Sequence, residues 1–402
     1  MVVIVMVRCE FKKLFSNRIN RILVLVLVVI AVVFSFFSIW SINFVDKDGN
    51  THKGLSAPRK LNEAKLKYKG ALTSGVFYEI IQKEKNLNKK YGSMISDSLY
   101  AANEQEYGDI KDMIVSTLCY NKDFDDSVIN DLDINEARDI YYIREKNINH
   151  MLKEYDNQEA KKKYLKRQFQ KVHKPFEYAP AESWKTMGLY VTTYSMILLV
   201  IVSFFSSGLF SEEFRLGADS IFFSTKRGRT RGTTTKIITG LLMASVIYWG
   251  AMLIMSIISF GVMGVSGASS PIQIEDSYSI YAYTFSQRYM VIMLSGYVGV
   301  MLSVAITMFV SAKTHSQVLS MCFPIVLFIL SPFIGRILPF RKVFNITPDQ
   351  LINVYNCIKL PLIYQFGGIV IMQIPMLIIL YSIVAIMILP FIYRAFSKYY
   401  NK

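Results

Sequence analysis

Cysteine and histidine are both scarce, four of each in 402 residues. His52, His150 and His173 stand apart from one another, from the cysteines and from paired carboxylates at ligand spacing, so a metal site is not expected. No G-x-x-x-x-G-K-[ST] segment occurs, which removes the loop that cradles nucleotide phosphates in P-loop proteins. The run KRGRTRGTTTK (226–236) contains glycine and is basic but lacks that spacing. H-E-x-x-H and G-x-S-x-G are absent as well. The chain itself is therefore expected to be no enzyme and to hold no cofactor. Acidic residues are also few, 30 against 45 Lys and Arg, leaving a net charge of +15.

Long apolar runs are what the sequence does have. It is 52% hydrophobic with a mean hydropathy of +0.31, unlike a soluble domain of this size. Six runs can cross a hydrocarbon core of about 30 Å as helix: Ile22–Phe44, Thr186–Phe210, Ile237–Val265, Tyr289–Ser311, Val318–Gly335 and Ile369–Tyr393. Pro324 and Pro332 interrupt the fifth, which membrane helices tolerate when neighbours satisfy the freed carbonyls. The runs contain no Asp, Glu, Lys, Arg or His, so an autonomous ion-coupled transporter, which needs a charge relay at membrane depth, is disfavoured.

Orientation follows from Lys and Arg in the short connections. With the N-terminus inside, 15 fall on the inner side (in 1–21, 211–236, 312–317 and 394–402) and 5 in the short outer connections. Both termini are thus expected in the cytoplasm, and the charge reads as topology, with no call for nucleic-acid binding. The first run exceeds a signal-peptide core, and no small-x-small cleavage site follows Trp40. Ahead of it, Ile4, Val7, Phe11, Leu14 and Phe15 recur at helical spacing with Arg8, Lys12 and Lys13 on the other side. Residues 1–21 are therefore expected to form an interfacial helix.

Residues 45–185 are long enough for one outer domain. Ile110, Met113, Ile114 and Leu118, then Ile140, Ile143, Ile148 and Leu152, recur three to five apart, a helical rhythm. The basic stretch KKKYLKRQFQKVHK (161–174) is either an attractor of anionic envelope polymer or lipid, or a solvated helix face. Cys119 and Cys357 both fall on the outer side, and their pairing is left open.

The segment SEEFRLGADSIFFSTKRGRTRGTTTK (211–236) is a charged island between two apolar runs. Ser211 is expected to cap a short helix carrying Glu212, Glu213 and Arg215. Asp219 or Ser220 would cap a second one with Ile221, Phe222 and Phe223, ended by Gly228 in a left-handed turn. Phe222 and Phe223 at a loop tip would suit either a partner's groove or the inner leaflet, with the arginines on lipid phosphates. A paired-glutamate intramembrane protease is a weaker reading: Gly217 stands where that family has arginine, and Lys313 follows Phe309 by four ahead of His315.

Glu212-Glu213, then Gly217 and Asp219, an apolar run closing in Ser224-Thr225, Gly228-Arg229, and Lys236 opening the next run together resemble the first cytoplasmic loop of ABC-2 type permeases, the membrane subunits of ATP-binding-cassette exporters. Lys226 stands where many members have proline. The resemblance implies an all-α polytopic membrane protein: six transmembrane helices, an N-terminal interfacial helix, and a large, mainly helical extracytoplasmic domain between the first two spans. Residues 336–368 would be an outer loop or re-entrant segment and 394–402 a cytoplasmic tail. It implies ATPase coupling at Glu212, Glu213, Arg215, Gly217, Asp219, Ser224, Thr225, Lys226 and Arg229; Phe222 and Phe223, in the same loop, are expected to take part in that dock. It also implies an ABC ATPase subunit binding ATP and Mg, a second permease copy or sister permease, and the lipids of a bacterial cell membrane as surroundings. The cargo would be a peptide, a lantibiotic-like toxin or an envelope lipid. In the fourth run Ser295, Gly299, Ser303, Thr307 and Ser311 form one small, polar stripe, serving helix packing or a substrate path. The alternative for the whole chain is a non-transporting membrane sensor or assembly protein that recognises something through its outer domain.

Overall fold

A computed structural model describes residues 2–92, 95–133, 136–334, 341–359 and 362–399. Gly335 of the fifth run, residues 336–340 and 360–361 of the following segment and residues 400–402 of the tail lie outside the described residues.

The chain opens with α1 (Val2–Ser16), and Asn17 caps α2 (Arg18–Trp40) by accepting a 3.0 Å hydrogen bond from the Ile19 N–H. On α1, Leu14 is buried and Phe11 and Phe15 pack on the core, but Ile4 is exposed. Lys13 also departs from the expected polar face: it turns inward to Glu213, because a largely buried carboxylate needs a counter-charge.

After the ribbon of β1 (Phe44–Val45) and β2 (Thr51–His52) come α3 (Ala57–Lys65), β3 (Gly70–Ala71), α4 (Ser74–Tyr91), α5 (Asp97–Asn103), α6 (Gly108–Leu118), α7 (Val128–Asp131), α8 (Ile140–Lys153) and α9 (Glu159–Gln170). β4 (Glu177–Tyr178) pairs back on β3. These elements make a mainly helical domain with its own core, in which Phe77, Ile80, Ile110, Ile114, Ile140 and Phe176 are buried.

The bundle continues through α10 (Glu182–Arg215), α11 (Asp219–Ser224), α12 (Thr233–Met263) and α13 (Phe285–Thr314). A kinked segment follows, α14 (Gln317–Ile325) with Pro324 inside it, a π-turn over Val326–Leu330 and α15 (Ser331–Ile334). The π-turn re-pairs the carbonyls disturbed near the proline. Short α16 (Arg341–Phe344) and α17 (Val354–Cys357) precede the hairpin of β5 (Ile363–Phe366) and β6 (Ile369–Met372), and α18 (Gln373–Ser397) closes the chain. Six of these helical segments are long and apolar enough to cross a membrane. The chain is thus a mostly helical membrane-type protein. α1, α11 and the last turns of α10, α13 and α18 lie at one end of the bundle, and the 45–185 domain sits at the other.

Several expected boundaries move: α2 stops at Trp40, and Phe44, the expected end of the first run, is strand. α10 has 34 residues, about 51 Å of helix, and therefore outruns its apolar stretch at both ends. The sixth run does not start as helix: Ile369–Met372 is strand, and the Gly367-Gly368 pair, with Gly367 at φ +58°, turns the hairpin. Four apolar residues read alike in strand and helix, so hydropathy does not separate them. Gln373 is at the start of α18, and its Nε2 donates to the Asn345 carbonyl at 2.8 Å. The α12–α13 connection also reaches into the domain: Ile274 joins its core, and Arg144 Nε donates to the Ser277 carbonyl at 2.8 Å.

Candidate functional site

The 211–236 segment is built differently from its sequence expectation. Ser211 caps nothing: it lies inside α10, its hydroxyl donating to the Ser207 carbonyl at 2.8 Å and its N–H to Ser311 Oγ at 3.1 Å. The helix ends at Leu216, and Gly217 at φ +65° makes the left-handed turn expected of Gly228. Its N–H donates to the Phe214 carbonyl at 3.1 Å and the Ala218 N–H to that of Glu213 at 2.9 Å, the double closure of a Schellman end. Asp219 is the first residue of α11, and Ala218 precedes it with no side-chain cap.

Gly228 has a different reason to be glycine. A Cβ there would lie 2.1 Å from the Phe222 carbonyl oxygen, and one at Gly232 would lie 2.7 Å from the Phe222 ring. The two glycines let the π-turn Gly228–Gly232 close over α11. Thr225 Oγ1 accepts from the Gly228 N–H at 3.0 Å, Ser224 Oγ donates to the Ile221 carbonyl at 2.7 Å, and Arg229 Nε donates to that of Phe223 at 2.7 Å.

Phe222 and Phe223 turn towards the chain itself. Phe223 is fully buried and Phe222 half-buried, their rings 5.4 and 5.1 Å from Phe396 of α18. Phe214, His315 and Tyr399 complete the aromatic cluster. The side chain left outside is Ile221, 75% exposed, flanked by exposed Lys226 and Arg227. A run of three apolar residues cannot all face one way on a single helical turn, so the core takes one, shares one and leaves one.

The two glutamates sit at the root of this loop. Glu213 lies 2.8 Å from Lys13 Nζ and 2.7 Å from Lys236 Nζ. Lys236 is 1% exposed, also donates to the Leu209 carbonyl at 2.9 Å, and lies 3.5 Å from Glu10. Glu212 pairs with Arg215 at 3.1 Å and Lys13 at 3.7 Å. Burial alone would lower the pKa of Lys13, but the hydrogen bond and charge of Glu213, with Glu10 and Glu212 nearby, raise it. The ion group therefore ties α1, α10 and α12 together. The glutamates pair with α1 and α12, whereas His315 stacks 3.8 Å from the ring of Phe214, so carboxylate and imidazole have different neighbours around the end of α10.

The small-residue stripe of α13 packs inside the chain. Ser303 Oγ lies 2.5 Å from Ser203 Oγ, and Ser311 Oγ donates to the Ser207 carbonyl at 2.6 Å. Thr307 bonds back to the Ser303 carbonyl at 2.8 Å, and a Cβ on Gly299 would touch Leu351, Ile352 and Phe328 at 3.6 Å. Ser295 is buried on the same face. Among the described residues α10 and α13 consequently form the most extensive helix pair, the close approach that small residues permit.

At the domain end, two ion groups escaped sequence reasoning. Asp109 accepts from Lys65 and Lys185, each at 2.9 Å, and from the Tyr178 hydroxyl at 3.0 Å, while Glu182 lies 2.6 Å from Lys65. Burial would raise the Asp109 carboxyl, but the charges of Lys185 and Lys65 hold it well below the usual range. Arg288 lies 2.7 Å from Glu275, which also accepts from the Tyr355 hydroxyl at 2.8 Å. The first group clamps the start of α10 to the domain, and the second clamps the start of α13 to the α12–α13 connection and α17. The available signal was charge immediately flanking apolar runs: Glu182 and Lys185 before one, Arg288 before another. Cys119 and Cys357 are buried free thiols, and no group of three metal-ligating side chains exists among the described residues. No protein-family model, curated protein or solved structure matches the chain.

Proposed function

We propose that this chain is the transmembrane permease subunit of an ATP-binding-cassette exporter, with residues 211–236 as the dock for a separate ATPase subunit that binds ATP and Mg. It would work in the bacterial cell membrane with both termini cytoplasmic, paired with a second copy or a sister permease. The cargo class is a peptide, a lantibiotic-like toxin or an envelope lipid, moved outward. The reading rests on the resemblance of the loop to ABC-2 permeases. The observation that carries it further is the way α11 is fastened.

Phe223 and Phe222 seat α11 on α18 and α10, and the Glu213–Lys236 pair at its root joins α10 to α12. Force applied to the exposed Ile221 face is thereby delivered to three long helices at once, as a rigid-body movement of the bundle requires. Glu212, Glu213 and Lys236 transmit in this reading, whereas Ile221, Lys226 and Arg227 make the contact.

Co-purification from the native membrane, read by mass spectrometry, tests it. Wild type brings down an ATP-binding-cassette ATPase and Ile221→Asp loses it while remaining abundant. Abundant wild type without any such ATPase would replace the exporter with the sensor or assembly reading.

A further inference from the structure

At the α1 end, the last turns of α13 and α18 diverge around a trough of about 830 Å³, within the 300–1,000 Å³ typical of ligand pockets. Its walls are Phe309 and Ala312 of α13 and Phe391 and Ala395 of α18, and its rim carries Lys313, Arg394 and Lys398. All three cations are exposed, and none has a carboxylate partner among the described residues. One basic residue in a final turn complements a helix dipole; three around one trough exceed that need. His315 closes the wall, its Nε2 enclosed and without a hydrogen-bond partner among the described residues.

The order of groups along the helices matters. Phe309 precedes Lys313 by one turn, about 6 Å, and Phe391 precedes Arg394 by about 4.5 Å. The apolar wall therefore lies deeper along the apolar helices, and the cations lie towards the bundle end. Phe391 is 55% exposed and opens the trough sideways. A ligand matching this gradient carries an anionic head next to hydrocarbon.

We propose that the trough between the ends of α13 and α18 is a binding site for an acidic phospholipid, its phosphate held by Lys313, Arg394 and Lys398 and its acyl chains against Phe309 and Phe391. The site stands whether or not the chain works with an ATPase. Each cation near the head contributes about fivefold in affinity, and the three together on the order of 100-fold.

Full-length protein in detergent is mixed with equimolar phosphatidylglycerol and phosphatidylcholine and read by native mass spectrometry. Wild type retains phosphatidylglycerol at least tenfold more, and K313Q/R394Q/K398Q abolishes the preference. K226Q/R227Q/R231Q, in the neighbouring loop, leaves it intact. Three results overturn the proposal: no preference in wild type, a preference that survives the trough triple, or one lost only in the loop triple. Millimolar inorganic phosphate is expected not to displace the lipid; full displacement would make the trough a free-phosphate site and overturn the lipid assignment. Loss of a protein partner from the native membrane in the trough triple, with lipid retention unchanged, would also refute it.

Discussion

Lys236 is the most deeply buried cation at the root of the 211–236 loop, and its removal gives the sharpest test of how that loop is held. In Lys236→Met, Glu213 keeps only Lys13, whose side chain is 35% exposed. In Glu213→Gln, the buried ammonium keeps Glu10 at 3.5 Å and one carbonyl. Breaking a buried pair from either side costs about 3–5 kcal/mol, because the survivor is a desolvated charge, while replacing both partners is close to neutral. Either single variant should therefore lose about 3–5 kcal/mol, and Glu213→Gln/Lys236→Met no more than either single, a coupling of at least about 3 kcal/mol. Lys13→Gln, at the half-exposed edge, should lose under about 1 kcal/mol. Reversible unfolding in mixed micelles, monitored by circular dichroism, measures all four. Losses below about 1 kcal/mol for both singles, or simple additivity in the double, would refute the description of Glu213 and Lys236 as a buried, mutually dependent pair.

Phe223→Ala empties the aromatic seat of α11 and should cost about 3–5 kcal/mol, whereas Ile221→Asp should change stability by under about 0.5 kcal/mol; the same unfolding assay separates them. Gly228→Ala places a methyl against the Phe222 carbonyl, and protease nicking within 217–232 should rise severalfold while the rest of the bundle stays protected. Burial and the neighbouring charge of Glu275 push the Asp276 carboxyl up to about 6 against the pull of Lys359, Arg288 and Lys185. A raised carboxyl binds its proton more tightly when folded, so stability should fall as pH rises from about 4 to about 6, by up to about 3 kcal/mol, and Asp276→Asn should flatten that slope. Glu275 is lowered, so its contribution is lost only as pH falls below its usual range. With Cys119 and Cys357 free, the denatured, unreduced chain should titrate four thiols.

Periodicity and hydropathy made the long helices legible because burying or lipid-facing an α-helix requires a continuous apolar run. They misplace the ends for the same reason. Glu182, Lys185, Glu212 and Glu213 interrupt hydropathy without interrupting α10, since a helix beyond the apolar core needs only partners for its charges, and Asp109, Lys65, Lys13 and Lys236 supply them. These partners are some 20 to 200 residues away in the chain, beyond any local pattern. Ile369–Met372 failed in the opposite direction, because a short apolar strand satisfies the same pattern until a glycine pair is seen to turn it.

The loop shows where composition stops being informative. Ile221, Phe222 and Phe223 read as a single exposed apolar tip only if α11 is imagined alone. The aromatic residues that receive it, Phe396 in α18 and Tyr399 just past its end, lie about 175 residues away, and the glycines that admit it look like ordinary turn formers. Once those contacts are included, the chemistry divides by depth: charge pairs at the root bind helices to one another, aromatics in the middle fix α11 to them, and an isoleucine with Lys226 and Arg227 remains outside. A segment whose outward side chains are the aliphatic Leu216 and Ile221 among exposed Arg215, Lys226 and Arg227 suits a shallow acidic groove better than a deep aromatic pocket. A partner of the first kind should lose affinity steeply as salt rises from 0.05 to 0.5 M, whereas one gripping buried phenylalanines would be nearly indifferent. Salt-insensitive capture of a partner would therefore show that Phe222 and Phe223 leave their seat on binding.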